Sequence, residues 1–228
     1  MQSSSALSHS QSFHPIFTTT ISQTPSPYQA CSLNLLYALP PLIFIDPYEL
    51  ANRAVSYSFQ HAGPSNLELP VAAFDPSTSN SSLLLTVGRE ADSEVVVELP
   101  LHVRYGPVAL SKNAKGFIDT EIPWPKAFYA CPASADHELL SSDSPLPIMP
   151  PSFTTSFASQ TIHLVPPASD APAFEVVHTP VGNAADVRTV ELGTAVVIIV
   201  CFLYLLRAMQ RTFMRLKSSE QVEKEKVE

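Results

Sequence analysis

Glu94-Val95-Val96-Val97-Glu98-Leu99-Pro100-Leu101-His102-Val103-Arg104-Tyr105 is the stretch whose alternation sets the fold class. Val97, Leu99, Leu101, Val103 and Tyr105 fall on one face, and Glu98, His102 and Arg104 on the other. A two-residue period predicts a strand with one buried face. Pro100 has no N–H to give to a ladder, so this strand belongs at a sheet edge or carries a bulge. Segments of similar apolar and β-branched content are Cys31–Leu39, Leu42–Ile45, Leu67–Phe74, Ser82–Val87, Ala127–Cys131, Thr161–Val165 and Ala173–His178. Asp46-Pro47 marks a turn between two of them. The chain holds 22 Pro and only 6 Gly, which suits short strands with irregular connections. Many short strands without a soluble helical pattern predict a mainly β, sandwich-like domain.

The C-terminal part differs. Leu192–Leu206 (LGTAVVIIVCFLYLL) is uncharged and is followed by Arg207, Arg211, Arg215 and Lys217. A membrane helix needs about 20 apolar residues. Ala208 and Met209 extend the run if Arg207 lifts its guanidinium to the headgroups along its apolar stem. A buried helix of a soluble domain would show a polar stripe, and none is present. The basic flank predicts a cytosolic tail and an N-terminal part on the other side. The expected organisation is a disordered or divergent segment 1–30, a β domain 31–179 with a mobile Ser/Pro-rich loop at 132–160, a juxtamembrane connection 180–191, a transmembrane helix 192–209 and a cytosolic tail 210–228. Leu33–Ile45 is signal-like in hydrophobicity but lacks a basic n-region, since the first basic residue is Arg53. A tail-anchored protein with a cytosolic domain is therefore the rival topology.

Chemistry is sparse. The net charge of −8, with no basic cluster outside the tail, excludes a nucleic-acid partner. No nucleophile elbow, phosphate loop or dinucleotide fingerprint occurs. The seven histidines are scattered without metal-ligand spacing, so neither metal nor cofactor is expected. Glu98, His102 and Arg104 read either as a polar site or as a solvated sheet face with cross-strand ion pairs. Cys31 and Cys131 are the one pair outside the membrane run, and the sequence leaves open whether they bridge. Asn80-Ser81-Ser82 is an acceptor tripeptide for N-glycosylation in a Ser/Thr-rich loop.

Three segments share an order and spacing of their own. They are Ile45-Asp46-Pro47-Tyr48-Glu49-Leu50-Ala51, then Leu99-Pro100-Leu101-His102-Val103-Arg104-Tyr105 followed by Phe128-Tyr129-Ala130-Cys131-Pro132, then Thr179-Pro180-Val181-Gly182 ahead of the terminal helix. This arrangement resembles the PIG-X family, the accessory subunit of glycosylphosphatidylinositol (GPI) mannosyltransferase I, over roughly residues 31–207. The resemblance implies an endoplasmic reticulum membrane protein with a lumenal domain and one C-terminal helix. It implies a non-catalytic role, binding and stabilising a multi-spanning catalytic subunit (PIG-M in animals) that adds the first mannose to the GPI precursor. Asp46, Tyr48, Glu49, His102, Arg104 and Tyr105 would then either touch the partner or shape the domain. In the second case Asp46-Pro47 is a turn, Arg104 pairs with Glu49 or another acid, and Tyr105 is a packed ring. Rival readings are a lumenal enzyme, a cell-surface adhesion or receptor protein, and a tail-anchored adaptor.

Overall fold

The stretch 94–105 forms two strands, broken at Leu101. In the computed structural model the residues described are 1–22, 28, 30–53, 56–64, 73, 80–88, 94–110, 116–132, 147–168 and 174–225. In chain order the strands are β1 (Gln2–Ser8), β2 (Ile16–Ser22), β3 (Ser32–Leu39), β4 (Ile43–Phe44), β5 (Tyr57–Ala62) and β6 (Ser81–Val87). They continue as β7 (Val95–Pro100), β8 (His102–Val103), β9 (Phe117–Pro123), β10 (Lys126–Pro132), β11 (Gln160–Val165) and β12 (Phe174–Pro180). The helices are α1 (Pro47–Ala51), α2 (Pro151–Thr154) and α3 (Val187–Glu225).

The strands form a three-stranded sheet β1-β2-β7, a five-stranded sheet β11-β10-β3-β6-β5, and the two-stranded ladders β12-β9 and β4-β8. All these pairings are antiparallel. β7 is an edge strand of its sheet, as Pro100 requires. Phe17 and Ile21 of β2 and Val97 and Leu99 of β7 share one buried cluster with Leu33, Leu35, Tyr37 and Leu39 of β3 and Leu83 and Leu85 of β6. This is the sandwich core, and Ile122 of β9 and Val177 of β12 join it. The opposite face of the five-stranded sheet carries a second cluster, Leu36, Leu84, Phe128, Ala130 and Ile162, covered by Phe153 and Phe157. Cys31 and Cys131 are disulfide-bonded where β3 and β10 run side by side, with Cα atoms 4.2 Å apart. The loop closed in the unfolded chain spans 100 residues, so by chain entropy the bridge contributes about 4–5 kcal/mol.

The N-terminal segment is not loose. Residues 2–22 supply two of the three strands of one sheet. Phe17, Thr19 and Ile21 point inward in alternation, and Ser3 and Ser5 of β1 are buried beside them. A Ser-rich strand tolerates burial because its hydroxyls are satisfied: Ser5 Oγ lies 3.1 Å from Thr19 Oγ1, which lies 3.1 Å from the Tyr37 hydroxyl. Burial pushes the Tyr37 phenol well above its ordinary pKa, so this chain of hydroxyls stays neutral.

The expected loop 132–160 is corrected in its second half. Residues 133–146 lie outside the described residues, but Pro151–Phe157 is helical and buries Phe153 and Phe157, the latter 5.3 Å from Phe128 between ring centres. Leu67–Phe74, apart from Ala73, also lies outside the described residues. β9 was not expected from the sequence.

The chain divides into two units, Met1–Pro107 with Lys115–Val181, and Val108–Ala114 with Gly182–Glu228. In the second unit Ala109 donates to Gly182 O and accepts from Ala184 N–H, both at 2.9 Å. α3 starts at Val187, inside the expected connection, and continues without a break through the apolar run to Glu225. Ala184–Lys217 is long and apolar enough to cross a membrane. Thr194 Oγ1 donates to Val190 O at 2.8 Å, which removes its polar group from the helix surface.

Candidate functional site

β4 and β8 pair in register Ile43↔Val103 and Phe44↔His102, and the Arg104 N–H donates to Leu42 O at 2.7 Å. This short ladder puts the two sequence boxes side by side. From the other direction the Leu101 N–H donates to Pro15 O and the Val103 N–H to Phe13 O, both at 2.9 Å. The β1–β2 connection thus joins the same face.

The first box folds as one helical turn. Asp46 is the N-cap: its Oδ1 accepts from the Tyr48 N–H at 2.8 Å, and Pro47 occupies the first helical position, where its missing N–H costs nothing. Leu50 is wholly buried and anchors the turn. That leaves Tyr48 pointing out, 79% exposed, and turns Glu49 toward β8. His102 Nε2 donates to Glu49 Oε2 at 2.8 Å.

Around this pair stands a group of rings. His102 stacks on Phe44 at 5.3 Å between centres, and His14 meets His102 edge-on at 4.7 Å. The Arg104 guanidinium carbon lies 4.3 Å from the centre of the Phe44 ring, a cation–π contact of about 1–2 kcal/mol where water is excluded. Phe13 packs on Tyr105 at 5.1 Å.

Two expected side-chain directions are corrected. Arg104 is 4% exposed and lies inside, not on a solvated face, and burial lowers its pKa from the ordinary value. Tyr105 is 76% exposed and is not a core residue. After Val103 the chain leaves the strand, so the two-residue phase no longer holds. Of the trio, Glu98 meets Arg53 at 3.6 Å and His102 meets Glu49 at 2.8 Å, while His102 and Arg104 both lie against Phe44. Asp46, Tyr48, Glu49, His102, Arg104 and Tyr105 are brought to one region, with Phe13, His14 and Phe44 as members that the sequence reading missed. An isolated histidine in a polar segment gives no spacing signal, so His14 could not have been found that way. Asn80 is exposed and directly precedes β6. Among the described residues, no group of three or more His, Cys, Asp or Glu is placed to hold a metal ion.

Comparison with known proteins gives one consistent result. The family model described as PIG-X / PBN1 matches residues 10–210. The chain is 30% identical to Protein pbn1 of Aspergillus oryzae over 210 residues, covering 81% of this chain and 37% of that protein. It is 28% identical to Protein pbn1 of Emericella nidulans, covering 85% of this chain and 41% of the relative. With Protein PBN1 of Gibberella zeae it shares 28% identity over 80% of this chain and 37% of the relative. The chain thus spans about two fifths of the length of these curated relatives. The match begins at residue 10, in the β1–β2 connection, and ends within α3, so it reaches into both units. By this match the chain belongs to the PIG-X / PBN1 family.

Proposed function

We propose that this chain is a non-catalytic subunit of GPI mannosyltransferase I that stabilises its multi-spanning catalytic partner. In this reading it resides in the endoplasmic reticulum membrane, with the β domain in the lumen, α3 in the bilayer and the basic tail in the cytosol. The observation that carries the reading is the face built by the β4–β8 ladder. It joins the two boxes of the family and sets Tyr48 and Tyr105 outward, 79% and 76% exposed. Tyrosines on a rigid, internally hydrogen-bonded support are the usual anchors of protein interfaces. The Cys31–Cys131 bridge supports an oxidising compartment. Arg207, Arg211 and Arg215 after the span support a cytosolic tail. A glycan on Asn80 would place the domain in the lumen directly.

Such a subunit needs no cofactor. It acts by mass action, since a protein that binds only the folded catalytic subunit shifts that subunit's folding equilibrium. Its loss lowers the amount of transferase, not the turnover of each molecule. The test is purification of the full chain in mild detergent with identification of the bound membrane proteins. The wild type should retain a multi-spanning mannosyltransferase. The double variant Tyr48→Ala, Tyr105→Ala should remain folded and lose about tenfold or more of it. Arg104→Ala, which removes a buried side chain, should instead lower the abundance of this chain itself. Recovery of no such enzyme with the wild type, or undiminished recovery with the tyrosine variant, would refute the reading.

A further inference from the structure

A separate feature of the β domain is made of other residues. Gln11, Gly116, Phe117, Asp119 and His178 line an open groove of about 460 Å³. Asp119 of β9 and His178 of β12 face each other in the ladder, and His178 Nδ1 donates to Asp119 Oδ1 at 2.6 Å. That bond commits Nδ1–H, so in the neutral ring Nε2 is left as an acceptor. Gln11 arrives on the β1–β2 connection, which is held in place at two points. The His178 N–H donates to Ser10 O at 2.8 Å, and His9 adopts φ 57° while its carbonyl accepts from the Ser12 N–H at 2.8 Å. A non-glycine residue in the left-handed region is strained and persists where the surroundings fix it. Phe117 adds apolar surface and is half exposed.

The lining chemistry narrows the ligand. Among the described lining residues none is Lys or Arg, and Asp119 would repel a phosphate or carboxylate. Among the described residues, Asp119 and His178 have no third ligand placed with them for a metal ion. A purely apolar ligand would leave the remaining acceptor sites of the Asp119 carboxylate and His178 Nε2 covered and without partners. What fits is a ligand with several neutral hydroxyls on one side and a C–H face on the other. The carboxylate accepts from hydroxyls, the side-chain amide both donates and accepts, and the aromatic ring receives the apolar face.

We infer that this groove binds a pyranose ring, its hydroxyls held by Asp119, His178 and Gln11 and its apolar face against Phe117. A free glycoside and the head of a glycolipid offer the same chemistry. The inference does not rest on the partner-stabilising reading and can fail or succeed without it.

The test uses the full chain in nanodiscs. In one arm, methyl glucoside, methyl mannoside and methyl galactoside are offered in solution and binding is read by saturation-transfer NMR. In the other arm the nanodiscs carry glucosylceramide, and lipid retained after mild extraction is counted by mass spectrometry. Binding in either arm that falls about tenfold in Asp119→Asn and in Phe117→Ala supports the inference. The arm in which it occurs identifies the source. Gln11→Ala, in an exposed loop, gives a variant that leaves the fold untouched and should also weaken binding. Absence of binding in both arms, or binding that survives all three substitutions, overturns it.

Discussion

Among the described residues two imidazole–carboxylate pairs sit in the β domain, Glu49–His102 at 2.8 Å and Asp119–His178 at 2.6 Å. Their lengths are alike and their settings are not. The first joins a helical turn to a strand and is wrapped by Phe44 and His14, with side chains 20% (His102) and 38% (Glu49) exposed. The second lies across one ladder at an open groove, with side chains 42% (His178) and 53% (Asp119) exposed. A hydrogen bond shielded from water clamps elements together, whereas a solvated one contributes little to the fold and stays free to meet a ligand. The comparison thus separates a structural clamp beneath the tyrosine face from a pair available for binding.

The sharpest way to break this contrast is to remove the ring beside each pair. Phe44 is buried under both His102 and Arg104, so Phe44→Ala should cost about 3–5 kcal/mol. Phe117 is half exposed, and Phe117→Ala should stay within about 1 kcal/mol. Urea unfolding of the full chain in micelles, followed by tyrosine fluorescence, measures both. Equal losses would mean that the two settings are energetically the same.

Double-mutant cycles on the pairs themselves probe a smaller effect. His102→Ala with Glu49→Ala should show a coupling of about 1 kcal/mol, in line with a partly shielded bond to a charged group. His178→Ala with Asp119→Ala should show less than about 0.5 kcal/mol, as exposed pairs do. A larger coupling at the groove than at the clamp would reverse the assignment of roles.

How far the sequence foretold this arrangement depends on the range of the interactions. The alternation in 94–105 correctly buries Val97, Leu99, Leu101 and Val103, because each of these follows from the local pleat. It fails at Arg104 and Tyr105, where pairing with Leu42 and packing on Phe13 decide the direction. Composition misled at the N-terminus. The polarity of residues 2–8 reads as looseness, yet Ser5 and Thr19 are buried because Tyr37, far along the chain, completes their hydrogen bonds. The C-terminal helix was legible outright, since a run long and apolar enough to cross a membrane shows itself residue by residue. The two boxes were legible as strings, but their adjacency is a product of the β4–β8 register, which no local pattern encodes.

His61 offers the smallest effect and a control for both pairs. It lies on β5, opposite Leu83 in the ladder with β6, and is partly buried. Burial lowers its pKa below the ordinary 6.5, because the charged ring is the form that loses most by leaving water. In the unfolded chain the ring takes up its proton at the ordinary value, so the unfolded state binds more protons in the window just below 6.5. Stability from this residue is therefore complete above that pH and declines as pH falls toward the folded value. His61→Gln cannot titrate and should remove this component. Urea midpoints of wild type and variant, compared between about pH 8 and pH 5, should diverge toward the acid end, with the wild type losing more. Parallel curves would show that water reaches the His61 ring as freely as it reaches an unfolded one.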